Sequence, residues 1–377
     1  MVLKMSTNCD IKILITSPKL GKKELDYVID CVKSSWISSK SKYVIEFEKK
    51  FSEYCGVNYG VSTSSGGTAL HLALASLGIK KRDEVIIPTL TMIATANAVT
   101  YTGAKPVLVD SEPDYWNIDT DKIQEKITKK TKAIIVVHLY GNPVDMNPVL
   151  DIAEDKGLFV VEDTAEAHGA EYKRKKVGGI GDIGCFSFYA NKIITTGEGG
   201  MLITNNKKIA ERSRILKDHA FTENKRFWHD KIGFSYRMSG LQAALGLAQL
   251  EKIDELINVR RKNTFLYNKL LKETNGLTLP KEARWAKNVY WMYSVLVEKN
   301  FGLSRDRLME CLGSKGIETR LFFIPIHQQP IYAKYFKKQK FPIADDLSKK
   351  GINLPSGPML KKEEIEYICE SISSLKG

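Results

Sequence analysis

One lysine, Lys192, sits between an aromatic run and a glycine-rich turn in F-S-F-Y-A-N-K-I-I-T-T-G-E-G-G, residues 186–200. Upstream, the apolar run of F-V-V-E-D-T-A-E-A-H-G (159–169) ends in two acids, Glu162 and Asp163. A third stretch, V-S-T-S-S-G-G-T-A-L-H (61–71), turns on Gly66 and Gly67 before a helical pattern begins near Thr68. Each has a chemistry. A lysine in partly apolar surroundings loses hydration, so its pKa falls and it becomes an amine able to attack a carbonyl. A carboxylate at the C-terminal end of a buried strand lies where ligands of open α/β sheets bind. A helix N-terminus behind small residues offers free N–H groups to an anion.

Taken singly, each stretch has a plainer reading. Lys192 is one of 57 lysines and arginines, most of them solvated. A strand-end acid is more often a loop or cap group, and a Gly-Gly turn needs no ligand. The turn lacks both the G-K-[ST] of a phosphate-binding loop and the G-x-G-x-x-G of dinucleotide folds. His71, on the apolar face of the following helix, reads as a core residue. Taken together, the acid, the anion cradle and the lysine suggest pyridoxal phosphate: ring nitrogen on the acid, aldehyde carbon on the lysine, phosphate in the cradle.

The elements around these stretches have the periodicities to position them. Lys23–Ser34 and Ser41–Tyr54 repeat apolar residues at helical spacing; Tyr59–Thr63 reads as a strand and Thr68–Leu77 as a helix. Glu84–Ile87, Pro106–Val109, Ala133–His138 and Phe159–Glu162 are short, β-branched, continuous apolar runs, as expected of strands buried on both faces of a parallel sheet. Asp119–Thr128 and Pro148–Lys156 are the crossover helices, and Cys185–Phe188 ends another strand. The pattern predicts an α/β fold with a mostly parallel, doubly wound sheet. Beyond Gly200 a long, broken helical stretch, Ser239–Glu273, leads away from the sheet. Strand Tyr293–Glu298, helix Arg305–Lys315, strand Glu318–Phe323 and helix Lys361–Leu375 follow. The expected division is a large domain of residues 1–250 and a smaller α+β domain of 251–377.

Composition narrows the classes. The 377 residues are 43% hydrophobic and 27% charged, as in ordinary soluble globular chains. No apolar run approaches the roughly 18 residues of a membrane span. M-V-L-K-M-S-T-N-C-D lacks the apolar centre of a signal peptide, so a cytoplasmic location is expected. Six cysteines, at 9, 31, 55, 185, 311 and 369, show no C-x-x-C spacing, and the six histidines form no ligand pattern. No metal site is expected. A net charge of +13 suits nucleic acid or an acidic small molecule such as a nucleotide diphosphate, or merely solubilises the surface. No nucleic-acid recognition signature accompanies it.

Several further motifs extend the pattern over nearly the whole chain: S-S-W-I-S-S (34–39), F-E-K-K-F-S-E-Y-C-G-V (47–57), D-E-V-I-I-P-T-L-T (83–91) and G-A-K-P-V-L-V-D (103–110). E-D-T-A-E-A-H-G-A (162–170), S-F-Y-A-N-K…G-E-G-G (187–200), Y-R-M-S-G-L-Q-A-A (236–244) and I-P-I-H-Q-Q-P (324–330) complete it. With them the chain resembles the DegT/DnrJ/EryC1/StrS family of sugar aminotransferases, pyridoxal-phosphate enzymes of the type I, aspartate-aminotransferase fold. The resemblance implies that Lys192 carries the cofactor covalently and shuttles the proton at the substrate carbon. It implies that Asp163 pairs with the pyridinium nitrogen, Glu166 approaches the ring hydroxyl and Ala165 packs on one ring face. Gly67 and Thr68 would hold the phosphate through backbone N–H groups, helped by the Ser187 hydroxyl. His327 and Arg320 would line the sugar-nucleotide site.

Two positions depart from the family's pattern. Met92 stands where an aromatic residue usually stacks on the ring, and a thioether can pack there instead. Ser235 stands where an Asn usually reaches a phosphate across a homodimer interface. The resemblance further implies L-glutamate as amino donor, leaving as 2-oxoglutarate, and a nucleotide-linked keto sugar as acceptor. G-I-E-T-R-L-F-F-I-P-I-H (316–327) looks most like the branch that aminates C4 of 4-keto-6-deoxy sugars, as in perosamine or viosamine formation. The alternatives are a 3-aminotransferase, a 3-dehydratase of the same fold, which carries histidine where this chain has Lys192, and a non-catalytic regulator on the same scaffold.

Overall fold

The computed structural model describes residues 12–221, 225 and 227–375. Cys9 and the N-terminal stretch read above for a signal peptide lie outside them. Helices α1 (Lys22–Lys33) and α2 (Lys42–Cys55) come first, with Ser41 capping α2 by accepting the Tyr43 N–H. Then strands and helices alternate: β1 (Tyr59–Thr63), α3 (Gly66–Leu77), β2 (Glu84–Pro88), α4 (Ile93–Tyr101), β3 (Lys105–Val109) and β4 (Thr131–Val137). After these come α5 (Met146–Lys156), β5 (Phe159–Asp163), the small hairpin β6 (Glu171–Tyr172) and β7 (Lys175–Lys176), β8 (Ile183–Ser187) and β9 (Gly200–Thr204).

Seven of these strands form one sheet in the order β1-β9-β8-β5-β4-β2-β3. The neighbours from β8 to β3 pair in parallel, while β9 runs against both β8 and β1. The expected mostly parallel sheet flanked by helices is therefore the fold found. Helix α3 packs on β8 and β9, and α5 on β5. With helices covering the sheet, Val85–Ile87, Ala133–Val136 and Val160–Val161 are all but inaccessible, which is why these strands read as unbroken apolar runs. The strand directions leave the ends of β1, β2, β4, β5 and β8 along one edge. Each candidate residue from Gly67 to Lys192 lies at or just after one of those ends, whereas Ser235 lies apart from them.

Helices α6 (Lys207–Lys217), α7 (Gly240–Leu250) and α8 (Ile253–Leu271) lead out of the sheet, and the anticipated break falls at Glu251–Lys252. The remainder holds β10 (Leu277–Thr278), β11 (Ala286–Lys287), β12 (Tyr293–Val297), α9 (Arg305–Ser314), β13 (Arg320–Leu321), α10 (Pro330–Phe336), α11 (Pro342–Lys350), β14 (Gly351–Leu354) and α12 (Lys362–Ser373). Strands β10, β12, β14 and β13 form a second, antiparallel sheet. Two clusters of buried residues share α8: Ile253, Leu256 and Ile257 belong to the larger, Tyr267 and Leu271 to the smaller.

Two expected elements differ. Asp119–Thr128 is not a helix but two 3-10 turns, Thr120–Lys122 and Gln124–Lys126. Of its residues only Ile123 is fully buried, too little apolar anchorage to hold an α-helix on the sheet. Glu318–Phe323 contributes only the two-residue β13, because Glu318 turns to accept the Ile15 N–H and Phe323 N–H turns to the Tyr140 hydroxyl. Helix α3 begins at Gly66, two residues before Thr68, because Ser65 caps it.

Candidate active site

Strand β5 delivers Glu162 and Asp163 on opposite faces. Glu162 is inaccessible and fully committed: it accepts the N–H groups of Gly178 (2.7 Å), Ile180 (2.8 Å) and Gly181 (2.7 Å), and His138 Nε2 lies 3.1 Å away. His138 Nδ1 accepts the Val144 N–H, so the ring proton sits on Nε2, toward Glu162. Glu162 thus ties down the loop after the β6–β7 hairpin, and Asp163 is left for other work. Asp163 Oδ2 accepts the Thr95 hydroxyl at 2.8 Å and Oδ1 accepts the Ala165 N–H at 3.2 Å. Burial pushes its carboxyl above the usual range, while those two donors and the Lys192 charge pull it back.

Lys192 follows β8 in the loop that returns as β9. Its Nζ lies 3.7 Å from the centre of the Trp291 ring, and its nearest carboxylate among the described residues, Glu166 Oε1, is 4.0 Å away. The indole is fixed by its own Nε1–H, which donates to the Asn191 carbonyl at 2.8 Å. Burial lowers the Lys192 pKa from the ordinary lysine range, opposed by Glu166 and Asp163 and assisted by the charge of Arg320. Burial conversely raises the Glu166 carboxyl, opposed by Lys192 and by the Tyr140 N–H, which donates to Oε2 at 2.7 Å. Tyr140 makes that bond from a left-handed conformation, φ 53°, uncommon for a residue with a side chain. The centre therefore holds an amine and a carboxylic acid each pushed toward its neutral form.

The anion cradle is built by the turn from β1 into α3. Ser65 Oγ accepts the Thr68 N–H at 3.1 Å, and Thr68 Oγ1 accepts the Ser65 N–H at 3.0 Å, a reciprocal cap. The Thr68 N–H, expected to face the phosphate, is engaged here; the N–H groups of Gly66 and Gly67 are those left open in the first turn. A Cβ on Gly66 would lie 2.6 Å from Ser187 Cβ, so this glycine lets β8 close on the helix. A Cβ on Gly67 would meet nothing nearer than 3.9 Å. Packing does not require a glycine there, and the space above it is what an anion would occupy.

The remaining residues divide. Ala165 adjoins Asp163. Met92, 49% exposed, stands at the position preceding α4, one turn before Thr95, and its side chain makes no capping bond. Arg320 is exposed, 3.5 Å from Glu318, and its field reaches Lys192. His327 is engaged at both nitrogens: Nδ1 lies 2.8 Å from Thr89 Oγ1 and Nε2 2.8 Å from Asp345 Oδ1. It reaches a ligand only by leaving one of those partners. Ser235 stands apart, exposed, accepting from Arg237 Nη2 at 3.0 Å and bridged to Asp218. Trp291, Tyr140 and Thr95 were not singled out from the sequence. Only for Gly66 did the sequence hold a local signal, the Gly-Gly pair at a strand–helix turn.

The residues present fit pyridoxal phosphate. There is an open space over Gly67 for its phosphate, a buried acid at the strand end for its ring nitrogen, and a dehydrated amine for its aldehyde carbon. The fold and this lysine–carboxylate centre define a pyridoxal-phosphate-dependent aminotransferase of the type I fold. The sequence profile described as the DegT/DnrJ/EryC1/StrS aminotransferase family matches residues 18–373, and the chain belongs to that family. A GDP-perosamine synthase of Escherichia coli O157:H7 is 48% identical over 362 residues, 96% of this chain and 98% of that one. A GDP-perosamine synthase of Caulobacter vibrioides is 44% identical over 365 residues, 97% of this chain and 98% of that one. The putative sugar aminotransferase Spr1654 from Streptococcus pneumoniae, in its PLP-form, superposes with a TM-score of 0.91 at 27% identity, covering 97% of this chain and 98% of that one.

Proposed function

We propose that the chain moves an amino group from L-glutamate to the C4 keto carbon of a GDP-linked 4-keto-6-deoxy sugar, as in perosamine formation. The observation that carries this is the dehydrated Lys192 amine, held between Trp291 and Glu166, in a chain 48% identical to a GDP-perosamine synthase along almost its full length. When bound, pyridoxal phosphate supplies the electron sink that stabilises charge on the reacting carbon. The chain's residues do the rest. Lys192 takes and returns the proton at that carbon, and burial, by lowering its pKa, favours the free amine over the ammonium. Asp163 holds the ring nitrogen, Glu166 faces the ring hydroxyl, and Ala165 and Met92 enclose the ring.

Gly66 and Gly67 N–H groups and the Ser187 hydroxyl hold the phosphate, with Thr68 joining if Ser65 turns away. Arg320 meets the diphosphate, and the net charge of +13 favours such an anion. His327 orders the wall of the sugar site from behind. A second copy completes the site through its Ser235 segment. The apolar residues Leu25, Ile29 and Val32 on α1, and Phe227 and Trp228 beside that segment, are exposed in the single chain and suit such a homodimer. The large unit is residues 1–250 and the small one 251–377; the separate second core supports this, although Ile13 joins that core from the N-terminal side. No helix among the described residues is long and apolar enough to cross a membrane, and we place the enzyme in the cytoplasm.

Amination assays with glutamate across GDP-, UDP- and dTDP-linked 4-keto-6-deoxy sugars test the reading. We expect 2-oxoglutarate and a C4 amine from the GDP sugar. Equal turnover of all three would remove the nucleotide assignment, and no amination would turn attention to dehydration.

The two glycines of the cradle separate packing from binding. Gly66→Ala drives a methyl into Ser187 and lowers stability by about 1–3 kcal/mol in thermal melts of the cofactor-free protein. Gly67→Ala leaves that melt unchanged and weakens cofactor binding about tenfold or more, roughly 1.4 kcal/mol. Equal effects of both changes on the melt would contradict the assignment of the open space.

A further inference from the structure

Thr95 is wholly buried in the first turn of α4, and its hydroxyl donates to Asp163 Oδ2 at 2.8 Å. Thr91 Oγ1 lies 3.1 Å from Thr95 Oγ1. A hydroxyl has one proton, and Thr95 gives its own to the carboxylate, so Thr91 donates to Thr95. The chain of donation runs Thr91 to Thr95 to Asp163 and ends on one oxygen of a buried acid. That oxygen has no other donor among the described residues. The titratable groups facing Asp163 are His138 at the end of β4, Cys185 on β8, Lys192 after β8 and Glu166 beyond β5. No side chain among them bonds to it.

We propose that Thr95, backed by Thr91, is a positioning residue that keeps Asp163 ionised and turned toward the cofactor's ring nitrogen. This rests on the reading of Asp163 above. A buried carboxyl drifts toward its neutral form unless something favours the charge. The hydroxyl is bonded best to an ionised oxygen, and a neutral acid would lose its charge attraction for a protonated ring nitrogen. Helix α4 thereby sets the electronic state of the cofactor from a position that never touches it.

The experiment is titration of the cofactor-free protein with pyridoxal phosphate, followed by fluorescence over a range of pH. Thr95→Val keeps the buried shape and removes the hydroxyl; Thr95→Ser keeps the hydroxyl and removes the methyl. Thr95→Val is expected to melt like the parent, bind the cofactor about tenfold more weakly, and lose affinity on acidification at a higher pH than the parent does. Thr95→Ser should restore the parent's pH profile. Thr91→Val should shift it in the same direction by less, and it serves if Thr95→Val does not fold. Parent-like binding by Thr95→Val, or equal loss in the Ser and Val proteins, overturns the proposal. Asp163→Asn is measured alongside. If it weakens binding while Thr95→Val does not, only the role of Thr95 falls. If it binds like the parent, the reading of Asp163 falls, and that of Thr95 with it.

Discussion

Lys192→Met abolishes transamination, with kcat falling by at least about 10⁴-fold, because one side chain supplies both the covalent hold on the cofactor and the proton transfer. No neighbour replaces it: Glu166 is the nearest acid at 4.0 Å, and Trp291 offers no base. Borohydride treatment should fix the cofactor to the parent protein and leave it removable from the variant. Retention of a covalent label by Lys192→Met would sink the assignment. The same change has an opposite effect on the cofactor-free fold. The Lys192 pKa is lowered by burial, so the folded state binds its proton less tightly than the unfolded state does. The resulting penalty is full below the folded pKa and fades as pH rises toward the ordinary 10.5. The methionine variant should therefore be the more stable of the two near neutrality, with the gap closing in alkali. Melting both proteins along a pH series checks the sign.

Asp163→Asn is the second large effect. The amide keeps the shape but carries no charge to hold a protonated ring nitrogen, so kcat should drop by about 10²–10³-fold while KM for the keto sugar changes far less. Its amide group would also turn an N–H toward one of the two donors, Thr95 or Ala165, that now point at the carboxylate. A modest loss of cofactor affinity comes with it. A fall in kcat below about tenfold would show that the ring nitrogen is held by something else.

Lys192, Asp163 and the Gly66–Gly67 turn were legible because each sits where a local pattern changes, at a strand end or a helix start. The sheet was legible for the same reason: strands covered on both faces leave unbroken apolar runs. Trp291 was not, since the indole meets Asn191 from a segment a hundred residues later and nothing in N-V-Y-W-M-Y announces it. Nor was Thr95, whose partner lies across the fold on β5. Asp119–Thr128 misled because its helical spacing is real while its contact with the sheet is small. Strand β9 escaped because a short apolar run after a glycine turn carries no mark of its direction.

That strand bears on how the molecule is made. Strand β1 lies at the edge of the sheet and pairs only with β9, Tyr59 against Thr204 and Thr63 against Gly200. During synthesis the earliest strand of the sheet thus waits for the latest. At 5–20 residues per second the interval is about 7–30 s, long for an unpaired edge to stay out of trouble. Until β9 slots between β8 and β1, the loop bearing Lys192 has only one of its two anchors. Closure of the sheet by β9 therefore also fixes the loop bearing Lys192.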